Sequence, residues 1–371
     1  MSTRCMLPGA RLLTCIVSLA AALAAHSAEP LMEGPAAHAG AEDEPGFFRR
    51  LARAAHHQAF VGLTIPAEVM DALVEARADA AIAALGGRAA EGDHDANIAL
   101  VRLQHWCNRL VSQGDLDPQA QIDRLDAQLP PARVARAAAV LRAQADYRRR
   151  AATACRGAQF DFRGIEARLR NAAEEGHPAS ALELSRFTRD PDRRSAYIQA
   201  AVAQHYGPAV HALAVERLSA IQRGESTEDV ASIRLLLKQA GRSVSRAKLD
   251  LANCMSLGCD GHPADAAGAR AFGIDAARDG EAGAFLSMAR MPWGRGLSRV
   301  QMLAWQYFGD RLNEAGCGGD AYVANAMTLS RTIEALEARQ DPETLADARE
   351  RAETLWRDNG ARAMREQGCT P

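Results

Sequence analysis

The sequence from Ala247 to Ala284 reads AKLDLANCMSLGCDGHPADAAGARAFGIDAARDGEAGA. Small and apolar residues recur three and four positions apart on both sides of a segment that contains Gly258 and Gly261. Residues at this spacing share one face of an α-helix. Gly280 follows the second helical segment and can end it in the left-handed conformation. The stretch therefore predicts two helices joined by a turn.

The second half of this stretch recurs along the chain as Asp, then Ala, a large residue, Ala-Ala and Gly. The best copy begins at Asp265, and weaker copies begin at Asp161, Asp192 and Glu228. The glycines or serine that close the copies fall at positions 176, 207, 243 and 280, which are 31, 36 and 37 residues apart. Helix-turn-helix repeats have periods of this size, and one such pair cannot bury its own apolar face. We therefore predict an all-α stack of helix pairs.

These residues resemble the Sel-one-like repeat (SLR), an α-helical relative of the tetratricopeptide repeat. Residues 265–284 are similar to the second half of that repeat, and so is Gly294-x-Gly296-Leu297 with the Ala and aromatic residues that follow it. The resemblance covers roughly residues 160 to 320, although the earlier copies lack Gly-x-Gly. It implies a right-handed α-α solenoid and an adaptor or scaffold role in assembling protein complexes.

The N-terminal residues have the features of a secretory signal. Arg4 and Arg11 precede or open an apolar run over 12–25, and small residues stand before position 29. An uncleaved anchor helix is the alternative, but the run is shorter than the roughly 20 residues that a membrane span needs. We expect an exported chain, periplasmic or secreted, with no transmembrane span after cleavage.

The predicted organisation has five segments. They are a signal peptide over 1–28, a flexible acidic leader over 29–45, a helical N-terminal region with degenerate or expanded repeats over 46–160, the SLR solenoid over 161–320, and C-terminal capping helices over 321–371. The capping helices would cover the open end of the solenoid.

Local signals place several helix boundaries outside the solenoid. One helix begins after Thr64-Ile-Pro66 and stops at Gly86-Gly87. The other predicted helices are a short one after Asp117-Pro118, a long one from Pro131 through Arg150, and two near the C-terminus over 321–337 and 342–356.

Cleavage of the signal would leave six cysteines. An even number of cysteines in an exported protein indicates disulfides, and six cysteines allow fifteen connectivities. We expect the pairs Cys107 with Cys155, Cys254 with Cys259, and Cys317 with Cys369, and position supports the first pair, since both cysteines would lie near the turn-side ends of two helices of one expanded repeat. Cys254, Cys259 and His262 would be a zinc site in the alternative interpretation, but their spacing is not that of common structural zinc sites.

Composition and motifs argue against several functional classes. The formal net charge of -2 excludes a strongly basic nucleic-acid footprint. The sequence contains no phosphate-binding glycine loop, zinc-protease motif, nucleophile elbow or dinucleotide fingerprint. We therefore predict a protein that is not an enzyme and holds no cofactor and no metal. The densest aromatic group, Trp293, Trp305, Tyr307 and Phe308, is interpreted as core, with a ligand platform as the alternative.

Stacked helix pairs present an extended concave surface that suits protein or peptide partners. We predict a monomeric interaction scaffold that uses first-helix residues next to the Ala/Leu face of the repeats. These candidate binding residues are Arg102, His105, Lys248, Ala252, Ser287 and Arg290. Trp106 would share the groove with Arg102 and His105, or else belong to the core.

Two alternatives remain open at the level of sequence. Cysteine-rich secreted members of the SLR family are linked to penicillin-like compounds, which implies a protein that binds or processes a small ligand derived from the cell wall. Residues 45–160 would instead carry the function if the chain is a structural or inhibitory partner domain. A pocket with convergent titratable groups would favour an enzyme, and a smooth charged groove would favour an adaptor.

Overall fold

Seventeen α-helices and no β-strand make up the residues that the computed structural model describes, which are 44–113, 117–225, 231–258 and 263–370. The all-α prediction is confirmed. The predicted signal peptide, residues 29–43 of the predicted leader, Cys259 and His262 lie outside the described residues. In chain order, α1 to α17 are Glu44–Ala59, Ala67–Val74, Ala78–Ala90, His94–Gln113, Gln119–Ile122, Pro131–Gly157, Phe162–Glu174, Pro178–Phe187, Pro191–Ala203, Gly207–Gln222, Ala231–Ala240, Ser245–Leu257, Ala266–Arg278, Ala282–Arg290, Arg299–Leu312, Tyr322–Glu337 and Pro342–Glu366.

The repeated aspartate and glycine mark the two ends of one helix in two of the repeats. Asp161 caps α7 by accepting a hydrogen bond from the Gly164 amide at 3.0 Å, and Asp265 caps α13 in the same way at 2.7 Å. After the same helices, Gly176 and Gly280 have φ angles of 94° and 77°. The side-chain cap satisfies a free amide, and a glycine adopts the left-handed conformation without a Cβ penalty. The repeat signal in the sequence therefore encodes helix boundaries.

The copy that begins at Asp192 is predicted two residues too late. The observed cap of α9 is Asp190, which accepts from the Asp192 amide at 3.0 Å, and the left-handed residue is His205 with a φ of 57°. Histidine tolerates this conformation better than most non-glycine residues, so no glycine marks the true position. Gly207 instead begins α10 and approaches the next repeat closely, because a Cβ there would lie 2.0 Å from the Ser243 hydroxyl.

The predicted helix stop at Gly86-Gly87 is wrong. Both glycines lie inside α3, which runs on to Ala90, and the left-handed residue is Gly92 with a φ of 93°. The break comes earlier, at Ala76, whose φ of 62° separates α2 from α3. The starts of the C-terminal helices agree better, since α16 and α17 begin within one residue of the predicted positions, but α17 runs to Glu366, ten residues past its predicted end.

Consecutive helices pack against one another from α7 to α15, which gives the solenoid its order. Alanines carry much of this contact: Ala252, Ala276, Ala277 and Ala284 are all fully buried. Small side chains let helices approach closely, and each buried methyl group still contributes to the apolar core. Trp293 fills the gap over Gly273, where a Cβ would lie 2.6 Å from the indole ring.

The two ends of the helical array are in contact. The long helix α6 packs on α3 and α4 and also on α16, where Ala137, Ala138 and Leu141 share a core with Ala326. Helix α1 lies against the segment 313–321 that joins α15 to α16. The C-terminal helices therefore do more than cap an open end, because they also close onto the N-terminal helices.

Disulfides fix this arrangement at two places. Cys107 on α4 is bonded to Cys155 on α6, and Cys317 is bonded to Cys369 near the C-terminus, with Cα–Cα distances of 5.3 and 5.1 Å. Both pairs are those expected from the sequence. Cys254 is disulfide-bonded, and its expected partner Cys259 lies outside the described part of the chain.

Candidate functional site

Three adjoining recesses form one groove along the N-terminal helices. The central pocket, of about 580 Å³, lies among α1, α4 and α6, with Trp106, Tyr147 and His56 in its wall. The arginine recess, of about 290 Å³, lies among α1, α4 and α8 and shares His56, Trp106 and Arg109 with the central pocket. A third recess of about 570 Å³ between α6 and α16 shares Gln144 and Asp320 with the central pocket. The recesses therefore adjoin one another, and together they are called the groove.

Aromatic rings from three helices line the central pocket. The His56 ring contacts Trp106 edge to face at a centroid distance of 5.3 Å and Tyr147 at 5.8 Å. Trp106 and Tyr147 are 6.3 Å apart. Such edge-to-face pairs stabilise beyond the area that they bury. The wall is therefore a rigid aromatic surface, held by α1, α4 and α6 together.

A hydrogen-bonded chain fixes the orientation of two of these rings. The Tyr147 hydroxyl donates to the Leu73 carbonyl at 2.8 Å, which leaves its oxygen to accept from His56 Nε2 at 2.5 Å. This assigns the Nε2–H tautomer to His56. Burial lowers the pKa of His56 to about 4, so the ring is neutral near pH 7. Burial also raises the pKa of Tyr147, which keeps the phenol protonated.

Arginines surround a single buried carboxylate in the arginine recess. Glu183 on α8 is 2% exposed and accepts from Arg102 Nε at 3.1 Å and from Arg186 Nη1 at 3.0 Å. Arg102 Nη1 also donates to the carbonyls of Ala59 and Val61 at 3.3 and 3.0 Å. Arg102 therefore holds the end of α1 against α8, and its position is fixed by three contacts.

The rim of this recess is exposed and aromatic. His105 is exposed and stacks on Phe187, with ring centroids 4.8 Å apart and an interplanar angle of 5°. Phe187 is 40% exposed, which is unusual for so large an apolar side chain. Arg109 stands one helical turn after His105 and lines both recesses. Its guanidinium makes no ion pair with any residue that the structure describes.

The structure divides the predicted binding residues into two groups. Arg102 and His105 both line the arginine recess, and Trp106 is half-buried between the two recesses. Ala252 is fully buried in the core, so its predicted place on a groove surface is corrected: its methyl group packs against neighbouring helices.

Lys248 forms ion pairs between helices of the solenoid and does not line the groove. Its ammonium lies 2.7 Å from Asp275 and 2.6 Å from the buried Asp279, and its side chain is 14% exposed. Arg362 on α17 also pairs with Asp279. These carboxylates raise the pKa of Lys248 against the lowering effect of burial. The lysine therefore joins α12 to α13. Ser287 is half-buried and Arg290 is exposed on α14, and neither lines the groove.

Three of the four aromatic residues singled out in the sequence belong to the core, and the fourth, Tyr307, is half-buried. Trp293 and Phe308 are 0% exposed and Trp305 is 6% exposed. Within the described ranges, no cluster of three or more His, Cys, Asp or Glu side chains could hold a metal ion. In the same ranges, no helix combines the length and apolar character needed to cross a membrane.

Sequence reasoning missed His56, Tyr147, Phe187 and Arg109. The first two meet across 91 residues of chain, so only the packing of α1 on α6 brings them together. Arg109 could have been predicted from the sequence, because it lies four residues after the predicted His105 and so on the same helix face.

No protein-family model and no curated protein matches this chain. Among solved structures, the chain is similar to a protective antigen of uropathogenic Escherichia coli whose crystal structure displays an SLR fold. The two have 14% sequence identity over 82% of this chain and 75% of that chain, with a TM-score of 0.33. The all-α solenoid is established by the packing of the chain's own helices.

Proposed function

We propose that this protein is an exported, non-enzymatic interaction scaffold that binds an extended segment of a partner protein in the groove along α1, α4, α6 and α8. The observation that supports this proposal is the adjacency of the three recesses, which share lining residues along the N-terminal helices. Helical repeat proteins use such elongated grooves for peptide recognition, with large side chains of the partner as anchors. The exposed stack of His105 on Phe187 and the half-buried Trp106 supply the matching apolar surface.

The hydrogen bonds of the central pocket favour a binding role over catalysis. A general base must be free to take a proton at the pH where it works. His56 Nε2 already donates to Tyr147, and the hydroxyl of Tyr147 is used on the Leu73 carbonyl. The other ring nitrogen of His56 is a weak base near pH 7, since burial lowers the pKa of the ring to about 4.

Export is supported by the sequence and by the cysteines. Residues 1–28 have the pattern of a secretory signal. Disulfides such as Cys107–Cys155 and Cys317–Cys369 persist in oxidising compartments and are rare in the cytosol. Membership of the SLR family is part of the same proposal.

A second candidate function is the binding of a small ligand derived from the cell wall. The central pocket favours it, because about 580 Å³ lies within the range of small-molecule sites and the wall combines aromatic rings with charged side chains. The groove extends beyond that pocket in both directions, which suits an elongated ligand better.

A comparison of two exposed phenylalanines separates these functions. Phe187→Ala removes the rim of the groove, and Phe162→Ala is the control, since Phe162 on α7 is 58% exposed and does not line the groove. The wild-type chain and both variants are used to purify partners from an extract of the source cells, followed by mass spectrometry. We expect one protein that is retained by wild type and Phe162→Ala and lost with Phe187→Ala. Equal retention by all three would contradict the proposal, and retention of small cell-wall fragments alone would support the second candidate.

A further inference from the structure

The arginine recess has more positive than negative charge. Arg102, Arg109 and Arg186 line it, and Glu183 is the one carboxylate among its lining residues. We propose that this recess binds an acidic side chain, Asp or Glu, of the partner segment, while the neighbouring side chain of that segment is apolar or aromatic and packs on the aromatic wall of the central pocket. This inference rests on the proposed peptide-binding function and specifies the chemistry of the partner.

The internal pairing leaves the charge surplus in place. The hydrogen bonds from Arg102 and Arg186 converge on the same oxygen of Glu183, Oε2. One carboxylate therefore compensates two guanidinium groups, and Arg109 adds a third cation that has no ion pair in the described part of the chain. An incoming carboxylate would supply the missing negative charge.

The surroundings make this charge effective. The Arg102 side chain is 12% exposed and Glu183 is 2% exposed, so the pair lies in a partly water-excluded wall. A carboxylate that reaches this wall would interact with Arg102 more strongly than in bulk water, and the exposed Arg109 lies at its edge. Arg102 is already fixed by Glu183 and by the carbonyls of Ala59 and Val61. Of the three arginines, only Arg109 would then lose side-chain freedom on binding, which limits the entropy cost on this side of the interface.

The shared walls determine the order of side chains in the ligand. Trp106 and Arg109 line both the arginine recess and the central pocket. A carboxylate paired with Arg109 would thus leave the adjoining residue of the segment over the aromatic wall of His56, Trp106 and Tyr147. The predicted recognition element is an acidic residue beside a large apolar one.

A displayed library of random dodecapeptides, selected on the oxidised full chain, tests this chemistry without knowledge of the natural partner. We expect enriched peptides to share an Asp or Glu beside an aromatic or aliphatic residue. One enriched peptide is then synthesised with a fluorescent label, in its acidic form and with the acid replaced by its amide, and the Kd values are measured by anisotropy.

Arg109→Gln and a matched Arg290→Gln control complete the test. Charge-assisted hydrogen bonds of this kind correspond to about tenfold or more in affinity. We expect the amide peptide to bind about tenfold more weakly than the acidic one to the wild type, and Arg109→Gln to weaken the acidic peptide similarly. The amide substitution should then have a smaller effect in Arg109→Gln than in the wild type. Arg290→Gln should behave as wild type, since Arg290 is exposed on α14 away from the groove.

Failure of this inference can be distinguished from failure of the proposed peptide-binding function. Enriched peptides that lack acidic residues, or whose affinity is unchanged by Arg109→Gln while Phe187→Ala abolishes binding, would overturn this inference and leave the groove as a peptide site. If the selection enriches no peptide that binds the chain, the proposed function fails together with the inference.

Discussion

The guanidinium of Arg133 on α6 holds both carboxylate oxygens of Asp310 on α15, at 2.5 and 2.7 Å, across 177 residues of chain. Arg133 also donates to Ser330 on α16 at 3.0 Å. The paired ends of the helical array therefore depend on a bidentate ion pair as well as on apolar contact. Closure of the ends keeps α1 and α6 in place, and these two helices form the central pocket together with α4.

Loss of this ion pair should cost stability. Asp310→Asn leaves Arg133 partly buried without its counter-charge, and we expect the free energy of unfolding to fall by about 2 kcal/mol, below the figure for a fully buried pair because Arg133 is 31% exposed. Urea unfolding followed by circular dichroism measures the change. The control is Glu353→Gln, which breaks the exposed pair with Arg311 and should cost less than about 1 kcal/mol. Equal losses of unfolding free energy for the two substitutions would contradict a larger contribution of the Arg133–Asp310 pair to stability.

A glycine comparison tests the contact between α1 and the segment before α16. Gly316 has a φ of 91°, and an added Cβ would lie 3.2 Å from Arg50 Cβ and 3.3 Å from the Phe47 carbonyl oxygen. Gly92 has a φ of 93° with open space around it. Ala at either position should cost about 1–2 kcal/mol for the left-handed conformation. We expect Gly316→Ala to cost more than Gly92→Ala in urea unfolding, because α1 must also move. Equal costs would argue against close packing of α1 there.

Removal of the C-terminal disulfide should destabilise the closed arrangement. Cys317 and Cys369 are separated by 52 residues, and the chain-entropy estimate for a loop of that length is about 4 kcal/mol. We expect a Cys317→Ala/Cys369→Ala variant to lose about 2–4 kcal/mol of unfolding free energy in urea. Mass spectrometry of the oxidised wild type after protease digestion should recover the Cys317 and Cys369 peptides as one linked species. An unlinked pair would contradict the disulfide assignment.

Acid should weaken the fold through His56. The pKa of His56 is about 4 when folded and 6.5 by its ordinary value, so between these pH values the unfolded chain binds a proton that the folded chain does not. The contribution of His56 to the free energy of unfolding is fully present above about pH 6.5. It falls by on the order of 3 kcal/mol as the pH drops to 4. We expect unfolding free energies measured from pH 7 to pH 4 to fall less steeply for His56→Gln than for the wild type. Parallel pH profiles would show that His56 does not titrate in this way.

Local sequence signals predicted the helices better than they predicted the site. Asp161 with Gly176, and Asp265 with Gly280, mark helix ends by short-range hydrogen bonding and backbone conformation, which a single stretch of sequence encodes. The same signals failed at position 205, because the left-handed position there is a histidine and the sequence has no glycine to mark it.

The groove could be predicted only in part. Arg102 and His105 were found because they share a face of one amphipathic helix. Ala252 was misplaced, since the register that puts it beside the Ala/Leu face does not reveal how tightly the next helix covers it. The central pocket depends on α1 meeting α6, a contact between distant segments that has no periodic signal in the sequence.

Site-specific photo-crosslinking tests the central claim most directly. A photo-reactive amino acid replaces His105 on the rim of the groove, and a second variant carries it in place of the exposed Phe162 on α7. Both full chains are produced in the source cells, illuminated, and analysed by mass spectrometry. If the groove is the partner site, position 105 should crosslink to one partner protein that position 162 does not capture. The same crosslinks from both positions, or none from position 105, would contradict the account.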